Sequence, residues 1–156
     1  VRKELMAQIY IDQSIKIEQR GDSKIAAARG KKSCVVIIDR RLKRMMLKYS
    51  RRLTRKRVFL SLFALGAALA VSKLYEKEDK VTLDEEYEGN EVAIEEIFYS
   101  VSLKLSKNIN KKDIASSKVG KRCWADLVAR SPDLANYKIR LDIKDRARVL
   151  KLLGWE

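Results

Sequence analysis

A chain of 156 residues accommodates one domain of ordinary size or two very small ones. With 35 Lys and Arg against 21 Asp and Glu the formal net charge is +14, and 46% apolar content with one Pro and six Gly excludes a wholly disordered chain, a linker and a fibre. The absence of His excludes Ser-His-Asp and Cys-His mechanisms and His-ligated zinc, and two cysteines, Cys34 and Cys123, cannot build a four-thiolate site or a dense disulfide framework.

Charge falls in blocks. Residues 1–57 hold 18 basic and 5 acidic groups, 58–72 hold none, 73–100 hold 3 and 10, and 101–156 hold 14 and 6. Such sorting points to an anionic partner for the basic blocks, either a membrane surface or nucleic acid. The opening Val1, in place of Met, suggests a processed or trimmed chain.

Residues 1–33 are expected to form an N-terminal helical segment. Leu5, Met6, Ile9, Tyr10 and Ile17 fall at mostly helical spacing, although Ile9/Ile11 and Ile15/Ile17 also fit a period of two and leave a strand open. Breaks fall at Gly21-Asp22-Ser23 and at Gly30. From Cys34, residues Val35, Ile38, Leu42, Met45, Met46, Tyr49 and Leu53 step by three and four, which predicts a basic amphipathic helix over 34–57. The β-branched Val35–Ile38 run also fits a short strand, but the stripe continues in phase. Arg40, Arg41, Lys43, Arg44, Lys48, Arg51, Arg52, Arg55, Lys56 and Arg57 occupy the other faces and are the candidate contacts to anionic lipid or phosphate.

Residues 58–72 carry no charge, and Leu74 and Tyr75 extend the run. As a helix the uncharged stretch is about 22 Å long against about 30 Å of bilayer hydrocarbon, and snorkelling by Arg57 and Lys73 narrows the gap. The run is apolar all round, carries small residues at Gly66 and Ala70, and separates a basic block from an acidic one. Residues 58–75 are therefore expected to form an apolar, transmembrane helix, with the basic N-terminal region on the cytosolic side or its equivalent. Phe59, Leu62, Leu65, Gly66, Leu69 and Ala70 are its expected membrane or helix-packing residues. A helix buried in a soluble core would read much the same.

Residues 76–90 read as an acidic linker. Asp84-Glu85-Glu86 has neither the apolar setting that raises a catalytic carboxyl nor the spacing of a calcium loop. Residues 91–156 read as a helical soluble module that recruits protein partners. Asn90 is placed to cap a helix with Val92, Ile94, Ile97, Phe98, Val101 and Leu105 on one side, while the alternation from Ile97 to Leu105 leaves a strand open. Asp113 is placed to cap a short helix, and Trp124, Leu127 and Val128 form a helical turn. Ser131-Pro132-Asp133 is a helix start, and Asp142 and Gly154 frame the last helix, with Trp155 folded back on it. Cys123, beside Lys121 and Arg122, has no base to activate it.

The expected fold class is mainly α: a long basic amphipathic helix, a short apolar helix and a small helical C-terminal module. The expected function is a non-enzymatic, membrane-associated anchor or scaffold, without cofactor or metal, forming part of a larger assembly. The order of blocks resembles that of membrane-anchor proteins cut from positive-strand RNA virus polyproteins, a resemblance of layout that carries no site residues. An accessory subunit of a membrane complex fits the same pattern. The alternative is a soluble, basic, RNA-binding component of a ribonucleoprotein, in which the apolar segment is core and the basic helix tracks phosphates.

Overall fold

In the computed structural model, which describes residues 7–49, 53–85, 87–119 and 123–155, the period of two prevails in the N-terminal region. Strands β1 (Gln8–Ser14), β2 (Ser23–Arg29) and β3 (Lys32–Ile38) form an antiparallel meander. Ile9, Ile11, Ile25, Ala27, Cys34, Val36 and Ile38 all turn to one face and are fully buried there. A slip of one residue would turn this whole set to the other face, so burial fixes the register. Gly30, at φ +61°, takes the left-handed position in the tight β2–β3 turn.

Helices α1 (Arg40–Tyr49) and α2 (Arg55–Ser72) follow, then β4 (Lys80–Asp84), α3 (Glu91–Lys104), β5 (Ile114–Ser117), α4 (Trp124–Arg130), β6 (Tyr137–Leu141) and α5 (Arg146–Leu153). The sheet order is β5-β4-β1-β2-β3-β6. β4 runs parallel to β1, β5 to β4 and β6 to β3, so among the described strands only β2 points the other way. One face is covered by α2, flanked by α1, α3 and α5; the other is met by the short α4 across β1, β2 and β3.

The mainly α expectation is thus corrected to a mixed α/β fold. The segment over 1–33 expected to be helical contributes β1, β2 and the start of β3. The helix expected over 34–57 is β3 followed by two helices: the apolar stripe keeps its phase across the junction at Asp39, which hides the change of element. The 76–90 linker contains β4, and the 91–156 module supplies β5 and β6 as well as helices. The short helix expected from Asp113 is instead a single 3-10 turn over Lys111–Asp113, capped by Asn110 and leading into β5. The expected helices at 91–104, 124–130 and 146–153 are present. At the last, the Asp142 carboxylate accepts from Lys144 N, the Asp145 carboxylate accepts from Asp142 N, and Gly154 ends the helix at φ +72°.

The membrane placement is corrected as well. No described helix is long and apolar enough to cross a membrane, so the expected transmembrane helix and single-span localisation fall. Leu62, Leu65, Leu69 and Ala70 of α2 are buried between the sheet and α3, and Phe59 is half-buried. At Gly66 an added Cβ would lie 2.4 Å from Ile25 Cδ1 on β2, so the small residue lets the helix approach the sheet. A helix enclosed by protein and one enclosed by lipid have the same all-round apolar composition, because both lack a water-facing side.

One buried ion ties the meander to the segment after α2. Asp79, fully buried, accepts from Arg29 Nε at 2.7 Å, from Ala7 N at 2.9 Å and from Glu76 N at 2.9 Å. A carboxylate in such a position needs this full set of donors to offset its desolvation.

Candidate functional site

β1 and β4 lie side by side and parallel, with Ile11 opposite Leu83. The next residue along each strand is an aspartate. Because side chains alternate, Ile11 and Leu83 enter the α2-side core, whereas Asp12 and Asp84 turn together to the face that α4 crosses. Asp12 is only 6% exposed. Its Oδ1 accepts from Gln13 N at 2.8 Å, and Asp84 Oδ1 accepts from Val119 N at 2.8 Å.

Burial is the main reason the Asp12 carboxyl rises from its ordinary 3.8 to about 8. Hydrogen-bond contact with Asp84 and the charges of Asp84 and Asp126 push the same way, against the Gln13 N–H. Near neutral pH Asp12 therefore keeps its proton, because burial and the neighbouring carboxylates both oppose its charge. The third acid, Asp126 on α4, is paired with Arg130 Nη2 at 3.0 Å and acts on Asp12 through space. Among the described residues, no group of three or more Asp, Glu or Cys side chains is placed to hold a metal ion. The arrangement is a contacting pair with a third carboxylate across from it.

Its place in the sheet is informative. From β1 the chain moves to β2 on one side; from β4 it moves to β5 on the other. The carboxyl ends of these adjacent strands are a topological switch point, where departing connections leave a crevice and open sheets bind ligands. Just beyond Asp12, Ile15 sits at φ +57°, a strained conformation for a β-branched residue that costs about 1–3 kcal/mol. It turns the chain sharply at the end of β1.

The basic residues expected from the sequence are divided between two helices. Arg40, Arg41, Arg44 and Lys48 are exposed on α1, and Arg55, Lys56 and Arg57 on the first turn of α2. Lys43 is buried, its Nζ donating to the Gln19 carbonyl and the Ser23 hydroxyl at 2.8 Å each. Arg51 and Arg52 lie outside the described residues. Arg40, Lys43, Arg44 and Arg55 meet, with Arg20, around one cavity. The expected packing residues Leu62, Leu65, Gly66, Leu69 and Ala70 belong to the core.

Sequence reasoning missed Asp12, Asp84 and Asp126. A signal exists: Ile9-Tyr10-Ile11-Asp12 and Val81-Thr82-Leu83-Asp84 repeat one pattern, an apolar alternation ending in an acid. Read as strands, both runs place the acid opposite their core residues. Comparison with protein-family models, curated proteins and solved structures gave no match.

Proposed function

We propose that this chain is a divalent-cation-dependent enzyme that hydrolyses phosphodiester bonds of nucleic acid at the crevice between β1 and β4. The observation that carries this reading is the placement of Asp12 and Asp84 side by side at the carboxyl ends of adjacent parallel strands, at the switch point, with the charge of Asp126 on α4 near enough to act on Asp12.

Two carboxylates side by side, Asp12 and Asp84, suit a hard cation such as Mg²⁺, which takes oxygen ligands from one or two carboxylates, keeps several waters and completes its shell with substrate phosphate. Buried Asp12 disfavours a bare negative charge, and a cation between it and half-buried Asp84 can replace the Asp12 proton. Bound there, the cation supplies charge stabilisation at phosphorus and a more acidic water. The chain's own groups orient the reaction: Asp12 is held by the Gln13 N–H, Asp84 by the Val119 N–H, and Asp126 by Arg130. Water adds to phosphorus, one P–O ester bond breaks, and the leaving oxygen takes a proton. Tyr10, 41% exposed, stands on the same face of β1 as Asp12 and offers a surface for a sugar or base. A net charge of +14 suits a polyanionic substrate.

The exposed cations of α1 and α2 would also serve a non-catalytic RNA-binding component, and one experiment separates the two. Labelled DNA, RNA and hybrid duplexes are incubated with the purified protein in Mg²⁺ or Mn²⁺, or in chelator. Cleavage is expected only with the cation, and Asp12→Asn and Asp84→Asn are each expected to lose on the order of 100-fold or more, the scale of a lost charge-stabilising group. Binding without cleavage under every condition, or cleavage undiminished in both variants, would overturn the enzymatic reading.

A further inference from the structure

The loop after β1 and the two basic helices enclose a second feature. A cavity of about 490 Å³ opens between the β1–β2 loop, α1 and the first turn of α2, with Arg20, Arg40, Lys43, Arg44 and Arg55 on its wall beside Phe59. Among the described residues, none of these five cations has a carboxylate within ion-pair distance, whereas Arg29, Arg130, Lys138 and Arg140 all do. The one acid on the wall, Glu18, accepts from the Tyr87 hydroxyl at 3.1 Å.

Lys43 is the informative member. It is 5% exposed, and among the described residues its ammonium meets only a carbonyl and a hydroxyl. Burial lowers its affinity for the proton, opposed at longer range by Asp22 and Glu18. A buried ammonium without a contacting anion is costly in isolation and becomes favourable once an anion sits beside it. The Arg55 guanidinium lies 5.2 Å from the centre of the Phe59 ring, which steadies it at the rim. Guanidinium groups grip phosphate through paired N–H donors, and the ring adds an apolar surface for a base.

Ile38 pairs with Ser23, and Lys24 with Ser14, so the ends of β1 and β3 lie at one end of the sheet. The loop that walls the cavity leaves β1 just beyond Asp12, and α1 begins directly after β3. Cavity and carboxylate pair therefore share one end of the sheet.

The geometry points to this cavity as an anchoring site for a nucleotide of a nucleic-acid strand, with its phosphate among Arg20, Arg40, Lys43 and Arg44 and its base toward Phe59. The inference rests on the nucleic-acid reading above for the identity of the ligand. A concave wall of cations suits a protruding phosphate of a polymer better than a flat bilayer, and the apolar helix that would have entered lipid is core.

The test measures binding of a fluorescent oligonucleotide to the full chain in chelator, where cleavage plays no part. The Arg40→Glu/Arg44→Glu double variant is compared with Lys80→Glu/Lys112→Glu, which changes net charge equally at the opposite end of β4 and β5, both lysines being exposed. The cavity variant is expected to bind about tenfold or more weakly, with the slope of log affinity against log salt shallower by about 1.5 to 2. The distal variant stays within about threefold of wild type by the same electrostatic reasoning. Arg55→Leu, which removes a single cation, keeps the test informative if the double variant folds poorly by circular dichroism; it too should weaken binding. Equal losses in cavity and distal variants, no loss at the cavity, tight binding of a free mononucleotide but not the strand, or capture by phosphatidylserine vesicles in place of nucleic acid would each overturn the proposal. A chain that binds through the cavity yet cleaves nothing would leave the anchor standing and remove the enzymatic reading.

Discussion

Replacing Asp12 by Asn keeps the side chain's shape and removes its proton. In the folded chain Asp12 holds that proton up to about pH 8, against an ordinary carboxyl value of 3.8. Between these values the folded state binds a proton that the unfolded state has released. Stability must then fall as pH rises, by about 1.4 kcal/mol per unit, and level off above about pH 8. The full window amounts to about 6 kcal/mol by the same conversion. Asp12 is 6% exposed, so little of this is screened by solvent; movement of the Asp12–Asp84 pair makes it an upper value. It is comparable with the whole stability of a small domain. The amide of the variant has no charge to develop. Urea denaturation followed by circular dichroism at a series of pH values should give a wild-type curve that falls through the window, and an Asp12→Asn curve flatter by several kcal/mol. Asp84→Asn should flatten it by less, because burial is the larger cause of the Asp12 shift and contact with Asp84 a lesser one. Parallel wild-type and variant curves would refute the argument from burial. Millimolar Mg²⁺ supplies a second arm: at a hundredfold excess over its dissociation constant it stabilises by about 2.7 kcal/mol. That gain should appear in wild type at alkaline pH and vanish in Asp12→Asn. If the slope is present and the Mg²⁺ gain absent, Asp12 is buried as described but the pair does not bind the cation.

Three further outcomes test the packing. Gly66→Ala gains about 1 kcal/mol of helix propensity, while its new Cβ displaces the buried end of the Ile25 side chain; Ile25→Val, which deletes that end, should therefore make Gly66→Ala more favourable by about 1 kcal/mol in a double-mutant cycle read by urea unfolding, and additive effects would refute the close approach. Asp79→Ala leaves Arg29 with only the exposed Glu76 as ion-pair partner among the described residues and should cost about 3 kcal/mol, the lower end for a broken buried pair, read as a drop in the urea midpoint. Cys34 is buried and its thiol is raised to about 12, chiefly by burial, so mass spectrometry after native alkylation should find Cys123 modified and Cys34 protected until the chain is unfolded; equal labelling would place Cys34 at the surface.

What the sequence by itself determined is local. The last helix is legible because Asp142, Asp145 and Gly154 satisfy its ends within one segment. The presence of α2 is legible too, since an uninterrupted apolar run of that length has few other forms, but its ends are not: the helix expected over 58–75 runs from Arg55 to Ser72. Ile9 and Ile11 fit strand as well as helix until β2 and β4 supply hydrogen-bond partners, and the stripe from Val35 to Leu53 conceals a strand because phase alone carries no record of what pairs with it. Tertiary structure also decided what surrounds α2. The sheet, α3 and a close contact at Gly66 provide the apolar environment that lipid would otherwise supply, and composition is blind to that difference. The candidate site depends on it most. Asp12 and Asp84 are ordinary acids at the ends of two distant apolar runs, one of them inside an acidic block. They become neighbours, with Asp12 holding its proton, only when β4 returns to lie parallel to β1, because burial and the proximity of like charges are properties of the folded neighbourhood and not of either residue.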